Sequence, residues 1–159
     1  AAIAFGSEPA LKEFMKDKPV PRSESIVTKQ MLIRVCVSAA YITGICLSIL
    51  FLPAVRNLFG LVDVTYLKSA LFATFMMAIT FNGFNARTDH FNPFENIGRN
   101  KNFLLVMGAI LVMQFIFVTF GGEALSVERL SLPSWLICAA LAFIVIPINM
   151  VLKAIMHKK

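Results

Sequence analysis

Thr80 to Phe103 read TFNGFNARTDHFNPFENIGRNKNF, a polar and basic interruption between two long apolar runs. One apolar segment ends here in a run of amides and an arginine. The chain then turns through Asn92-Pro93 and restarts at Asn100-Lys101-Asn102, an arrangement that predicts a helix, a loop and a second helix. The interruption is short and the flanking runs are nearly free of charge, which predicts membrane helices. A helix needs roughly 20 apolar residues to cross the hydrocarbon core.

Composition agrees with that reading. The chain has 159 residues, 58% of them hydrophobic and 15% charged, with a mean hydropathy of +0.76. A soluble domain carries about a quarter charged residues, so these values point to an integral membrane protein. The net charge is +6. The basic residues flank apolar segments instead of forming a solvated patch with interleaved aromatics, which excludes nucleic acid as a partner and leaves the lipid bilayer.

Moving outward from the opening stretch, the apolar runs predict four spans at about residues 30–52, 66–86, 102–121 and 134–153. Residues 1–29 form a separate leading region: an apolar stub, Ala1 to Gly6, and a mixed-charge loop with Pro9, Pro19 and Pro21. No span shows the alternation of a membrane strand, so the fold class is an all-α membrane protein. In the first span, Ser38, Ala39, Ala40, Thr43 and Gly44 form a small-residue cluster that lets another helix approach closely. Arg34 lies near the start of that span, where it can snorkel. Pro53 ends the run, and Arg56 to Thr65 is expected to be a turn. Trp135 opens the fourth span as an interfacial aromatic, and Pro147 is expected to kink it.

Fifteen Lys and Arg residues give the orientation. Twelve fall on one side: Lys12, Lys16, Lys18, Arg22, Lys29 and Arg34, then Arg87, Arg99 and Lys101, then Lys153, Lys158 and Lys159. Arg56, Lys68 and Arg129 fall on the other. The positive-inside rule puts the first loop, the opening stretch and the C-terminus in the cytoplasm.

Polar residues deep in a span are functional candidates by default. Gln114 and Asn149 are the leading ones, and both are expected to be interhelical hydrogen-bond partners. No carboxylate lies in the middle of any span, so these four segments offer no hard anionic oxygen for a divalent cation. Cys36, Cys46 and Cys138 have neither disulfide nor zinc spacing and are expected to act as small buried hydrophobes. Asp89-His90 has no nucleophile or pocket in view. The chain has no phosphate-cradling loop and no catalytic motif, so no catalytic, cofactor-binding or metal-ligating residue is expected.

Several stretches together carry a resemblance. FNGFNAR (Phe81 to Arg87) with NPFENI (Asn92 to Ile97), FGG (Phe120 to Gly122) and LSLPSW (Leu130 to Trp135) are similar to the C-terminal membrane region of P-type calcium-pumping ATPases. Upstream, AIAFGSEPA (Ala2 to Ala10), EFMKDKP (Glu13 to Pro19) and RSESIV (Arg22 to Val27) resemble the loop between that family's sixth and seventh helices. The likeness is to the plasma-membrane-type branch and its bacterial relatives, and it covers essentially the whole chain. It implies that the four spans are helices seven to ten of a ten-helix membrane domain, preceded by the end of helix six, and it suggests a bacterial cell membrane.

The resemblance further implies that Ala39, Ala40 and Gly44 seat the seventh helix against the transport helices. It also implies that the first loop, with Glu13, Lys16, Lys18 and Arg22, couples to the cytosolic domains of the same pump. ATP and Mg would serve the intact parent and not this chain. The family's cation ligands come mainly from helices four to six, which lie outside the chain. Reticular-type pumps add an acidic residue on helix eight, where this sequence has Ile79. The transported ion, calcium or another cation, therefore stays open. The other reading is a free-standing four-helix membrane protein with a structural or accessory role. The intact mass of the native product separates the two, since about 18 kDa fits the free-standing protein and several times that fits the pump.

Overall fold

The computed structural model describes residue 6 and residues 28–60, 63–88 and 91–157. The first loop, including Glu13, Lys16, Lys18 and Arg22, and the Asp89-His90 pair lie outside the described residues. The helices are α1 (Lys29–Phe51), α2 (Pro53–Arg56), α3 (Val64–Ala86), α4 (Lys101–Phe120), α5 (Gly122–Leu125), α6 (Leu132–Phe143) and α7 (Val145–His157), with 3-10 turns at Asn57–Phe59 and Ile97–Arg99. There is no strand among the described residues. Four stretches are long and apolar enough to cross a membrane: α1, α3, α4 and the combined α6–α7 from Leu132 to Met156.

Each span begins on a short polar side chain that accepts from a backbone N–H of the first turn. Thr28 accepts from Met31, Asp63 from Thr65, Asn100 from Phe103 and Ser131 from Ser134. These contacts satisfy donors that the helix itself leaves open. They also explain where the observed starts differ from the apolar runs. The second span begins at Val64 because Asp63 caps it. The fourth begins at Leu132 because Pro133 fits the first turn, where a missing N–H costs nothing. Pro53 likewise opens a short helix, so the expected turn after it starts helical.

The fourth span is broken at Ile144. Pro147 has no N–H to give the carbonyl of Phe143, and regular bonding resumes at Ile148 N to Ile144 O, 3.2 Å.

The architecture is a bundle built around α3. It is the least apolar of the four spans and the most buried, because its polar and small residues face inward. Three apolar clusters follow one another along it. At its start, Leu67, Ala70 and Ala73 pack with Ile49, Val118, Trp135 and Cys138. In its middle, Ala78 packs with Ile42, Ala142, Val145 and Ile146. At its end, Phe84 meets Phe103 and Met107. The most extensive contact is with α6, where Ser69, Ala70, Ala73 and Thr74 are fully buried. Small side chains on one face let backbones approach, and the Cys138 thiol reaches the Ala70 carbonyl at 3.5 Å. Tyr41 Oη crosses from α1 to the Leu141 carbonyl at 2.6 Å.

At the α2 end of the bundle, Tyr66 Oη donates toward Ser131 and Ser134, and Glu128 N donates to Ser69 Oγ at 2.7 Å. These bonds hold the connection after α5 down on α3. Trp135, in the first turn of α6, is buried with its ring centroid 5.2 Å from that of Phe115. The expectation that all three cysteines are buried is corrected: Cys138 is buried, Cys46 is partly exposed and Cys36 is exposed on the bundle surface.

Candidate functional site

The FNGFNAR stretch forms the last two turns of α3 and runs into the loop beyond. Asn82 and Asn85, three residues apart, share one helical face. That face meets α1 and α7. Asn85 Nδ2 donates to the Val145 carbonyl at 3.1 Å, beside the break in the fourth span. Asn149 Nδ2 reaches Ser38 Oγ on α1 at 2.9 Å, the Val145 carbonyl at 3.1 Å and Asn82 Oδ1 at 3.4 Å. An amide nitrogen has two hydrogens, so the bond to Asn82 is the weakest of the three. Ser38, Asn85 and Asn149 are all buried.

Lys153 lies one turn beyond Asn149 on α7. It is 2% exposed, and its Nζ donates to the carbonyls of Asn85 at 3.1 Å and Thr88 at 2.7 Å. Those carbonyls belong to the end of α3, where the helix cannot satisfy them itself. A cation at this end also complements the helix dipole. Lysine is almost never fully buried unless it is partnered, and here the partner is the end of another helix.

Arg87 organises the loop. One guanidinium nitrogen donates to the carbonyls of Pro93 and Glu95, and the guanidinium carbon sits 5.8 Å from the centroid of the Phe103 ring. Phe84 packs edge-on against Phe103 with centroids 5.2 Å apart and tilted against Phe94 at 5.8 Å. The loop thus folds back on the helix that precedes it.

A cavity of about 330 Å³ opens beside this seam, lined by Thr28, Met31, Arg34, Val35, Ser38, Asn82, Asn85, Ala86 and Asn149. Its polar wall groups are neutral amides and hydroxyls with one arginine, beside the apolar Met31, Val35 and Ala86. No group of three or more His, Cys, Asp or Glu that could hold a metal occurs among the described residues. Without negative oxygens the seam lacks the ligands a divalent cation takes. Its chemistry is that of positioning helices.

Of the residues singled out from sequence, Asn149 lies at the centre of the seam. Gln114 is elsewhere, on α4, 2% exposed, with neither amide atom hydrogen-bonded. Ala39, Ala40 and Gly44 all lie exposed on α1, and a Cβ on Gly44 would meet nothing within 4 Å. Asn82, Asn85, Arg87 and Lys153 are the structural centre of this region and were not singled out. The FN-x-x-NAR spacing was visible, but nothing local says that its amides face the fourth span.

The model for "Cation transporting ATPase, C-terminus" matches residues 1–155. The chain belongs to this family. Relatives include calcium-transporting ATPase PAT1 of Dictyostelium discoideum, 30% identical over 98% of this chain, and calcium-transporting ATPase 8, plasma membrane-type, of Arabidopsis thaliana, 31% identical over 97%. Plasma membrane calcium-transporting ATPase mca-1 of Caenorhabditis elegans is 27% identical over the full chain. The chain spans 15% of the length of the first two and 13% of the third. The seam is therefore a feature of the C-terminal membrane region of a cation-transporting ATPase. In this chain Ile79, one turn before Asn82, is 46% exposed.

Proposed function

We propose that this chain forms helices seven to ten of an ATP-driven calcium pump and acts as the scaffold for its ion-carrying helices. The observation that carries the reading is the asymmetry of α1. Its Ser38 and Ile42 are buried against the bundle, while Ala39, Ala40 and Gly44 are exposed, Ala40 and Gly44 one turn apart on the side away from Ser38. A small-residue face without a neighbour among the described residues suits close approach by another membrane helix, and the transport helices of the same pump would be that neighbour. Asn149 and its bonds to α1 and α3 fix the orientation of this face. Gln114 is assigned to helix packing as well.

Calcium as the cargo rests on the names of the relatives. Its ligands would come from outside this chain, since the seam is neutral or basic and Ile79 replaces an acidic side chain. ATP and Mg would act on cytosolic domains of the same protein. The first loop, with Glu13, Lys16, Lys18 and Arg22, would lie in the cytoplasm and couple to those domains. The C-terminus would share that side, in a cell membrane that the wording of the motifs suggests is bacterial, although the relatives named above are eukaryotic. A free-standing four-helix protein is disfavoured by relatives about seven times longer.

The test uses the full-length protein in vesicles. Ala40→Leu and Gly44→Leu are expected to cut ATP-dependent calcium uptake at least tenfold, while Leu47→Val on the same helix leaves it within twofold. Normal uptake in both leucine variants removes the scaffold reading. Glu13→Ala with Lys16→Ala tests coupling, and unchanged uptake and phosphoenzyme formation remove that part.

A further inference from the structure

Ser38 is the first buried residue of α1, and none of Lys29 to Val37 is buried. One turn further on, Ile42 packs against Ala78, Ala142, Val145 and Ile146, and Tyr41 Oη bonds the Leu141 carbonyl at 2.6 Å. The cavity of about 330 Å³ separates the start of α1 from the end of α3. Arg34, half-buried on its wall, is engaged as well, through a long side chain that can follow a moving helix. α1 is also the least buried of the four spans. Its leading third thus stands off the bundle, with a fulcrum at Tyr41 and Ile42 and a buried polar contact at Ser38.

The hydrogen bonds around Ser38 do not balance. Asn149 Nδ2 has two hydrogens and three acceptors in reach: Ser38 Oγ, the Val145 carbonyl and Asn82 Oδ1. Asn85 Oδ1 receives nothing. The bond from Asn85 Nδ2 to the Val145 carbonyl fixes which end of that amide is the acceptor. This oxygen has less than 1 Å² of accessible surface. Lipid, water and anything in the cavity are therefore shut out, and its donor has to come from the protein. A buried acceptor left open is costly. The Asn149 amide is its neighbour, because both carboxamides reach the same Val145 oxygen at 3.1 Å. An over-committed donor beside an unpaired acceptor gives the seam a second arrangement close in energy to the first.

We propose that Asn149 is a release catch for α1. In the docked position it donates to Ser38. When the leading third of α1 swings out about Tyr41 and Ile42, that hydrogen passes to Asn85 Oδ1. Ser38 then bonds back to the carbonyl four residues earlier, as Ser48 on the same helix does to Gly44 at 2.8 Å. The exchange strands no polar group in lipid. Lys153 keeps α7 on the end of α3 in both positions, through the carbonyls of Asn85 and Thr88. Measured from Ile42 along the helix, a shift of about 2 Å at Ser38 becomes about 5 Å at Leu32. The inference does not depend on which ion is moved or on what packs against Ala40 and Gly44, so it and the uptake test of those residues can fail independently.

The test is double electron–electron resonance on the full-length protein in lipid nanodiscs. Native cysteines are replaced, and spin labels are placed at Leu32→Cys and Ile155→Cys, both exposed positions. Two distances about 5 Å apart are expected. Ser38→Ala removes the docked bond and should raise the ratio of released to docked about three- to tenfold, the value of one hydrogen bond. Ser38→Thr, which keeps the hydroxyl, should restore it. Asn85→Leu removes the receiving acceptor and should lower the ratio by a similar factor. General loosening of the seam would instead raise it in both Ser38→Ala and Asn85→Leu, and that result overturns the proposal. Should Asn85→Leu fail to fold, Ser38→Ala made in an Asn149→Ala background serves, and is expected to change nothing. A shift there as large as in the unaltered background overturns the catch. So does a single, unmoved distance in the unaltered protein and in Ser38→Ala.

Discussion

Lys153 and Gln114 are both buried to 2% exposure, and they stand in opposite energetic positions. The Lys153 ammonium donates to the carbonyls of Asn85 and Thr88, so removing it leaves two helix-end acceptors without that donor. Lys153→Met keeps the apolar stem and is expected to destabilise the domain by about 1–3 kcal/mol. Hydrogen exchange should be faster through Arg87 to Asn100, and thermal unfolding of the full-length protein gives the magnitude. Gln114 makes no hydrogen bond, so Gln114→Leu removes an unpaid desolvation cost and is expected to leave stability unchanged or raise it by about 1–2 kcal/mol. A clear loss of stability would reveal a partner beyond the described residues. Position alone could not separate these two. Both are polar residues in apolar runs, and what surrounds each one is decided by neighbouring helices.

At the scale of the element, each helix start depends on a residue and the three that follow, and the apolar runs alone did not mark Asp63 before Val64 or Ser131 before Leu132. Asp63 is the case with a pH signature. Its carboxyl is held below the ordinary value of 3.8, first by the backbone N–H groups of Val64 and Thr65, then by the Thr65 side chain and by Lys68. A lowered folded-state pKa means the cap contributes fully above the ordinary value and is lost as pH falls through the folded one. Exchange protection at Leu67, whose N–H bonds the Asp63 carbonyl, is therefore expected to be flat from pH 7 to about 4 and to fall below that. Asp63→Asn should abolish the fall. The break at Ile144 was legible for a local reason: Pro147 removes one identifiable bond. Its use was not legible, since the Val145 carbonyl beside it receives the Asn85 and Asn149 amides from positions 60 and 4 residues away.

For the whole molecule, the charge count and the bundle arrangement are independent lines. Thr28, Asn85, Thr88 and Lys153 gather at one end. Tyr66, Glu128 and Ser131 gather at the other. Gly98 and Glu123 are exposed, one at each end. In intact cells, with native cysteines replaced, Gly98→Cys is expected to resist a membrane-impermeant thiol reagent and Glu123→Cys to react. The reverse pattern would invert the topology given by the positive-inside count.

The sequence by itself determined the class, the span count and the family. Each of these rests on local quantities: hydropathy over about twenty residues and short motifs in order. Only the tertiary structure decided that α3 is the hub, that Asn149 meets Ser38 and Asn82, that Lys153 closes the end of α3, and that Ala39, Ala40 and Gly44 are exposed. In a span that is apolar nearly all round, periodicity does not say which face turns inward. That choice is made by the few polar groups, which must find partners on other helices because lipid offers none. The FNGFNAR stretch shows both sides. Its wording named the family, and the bundle gave its amides and arginine their work.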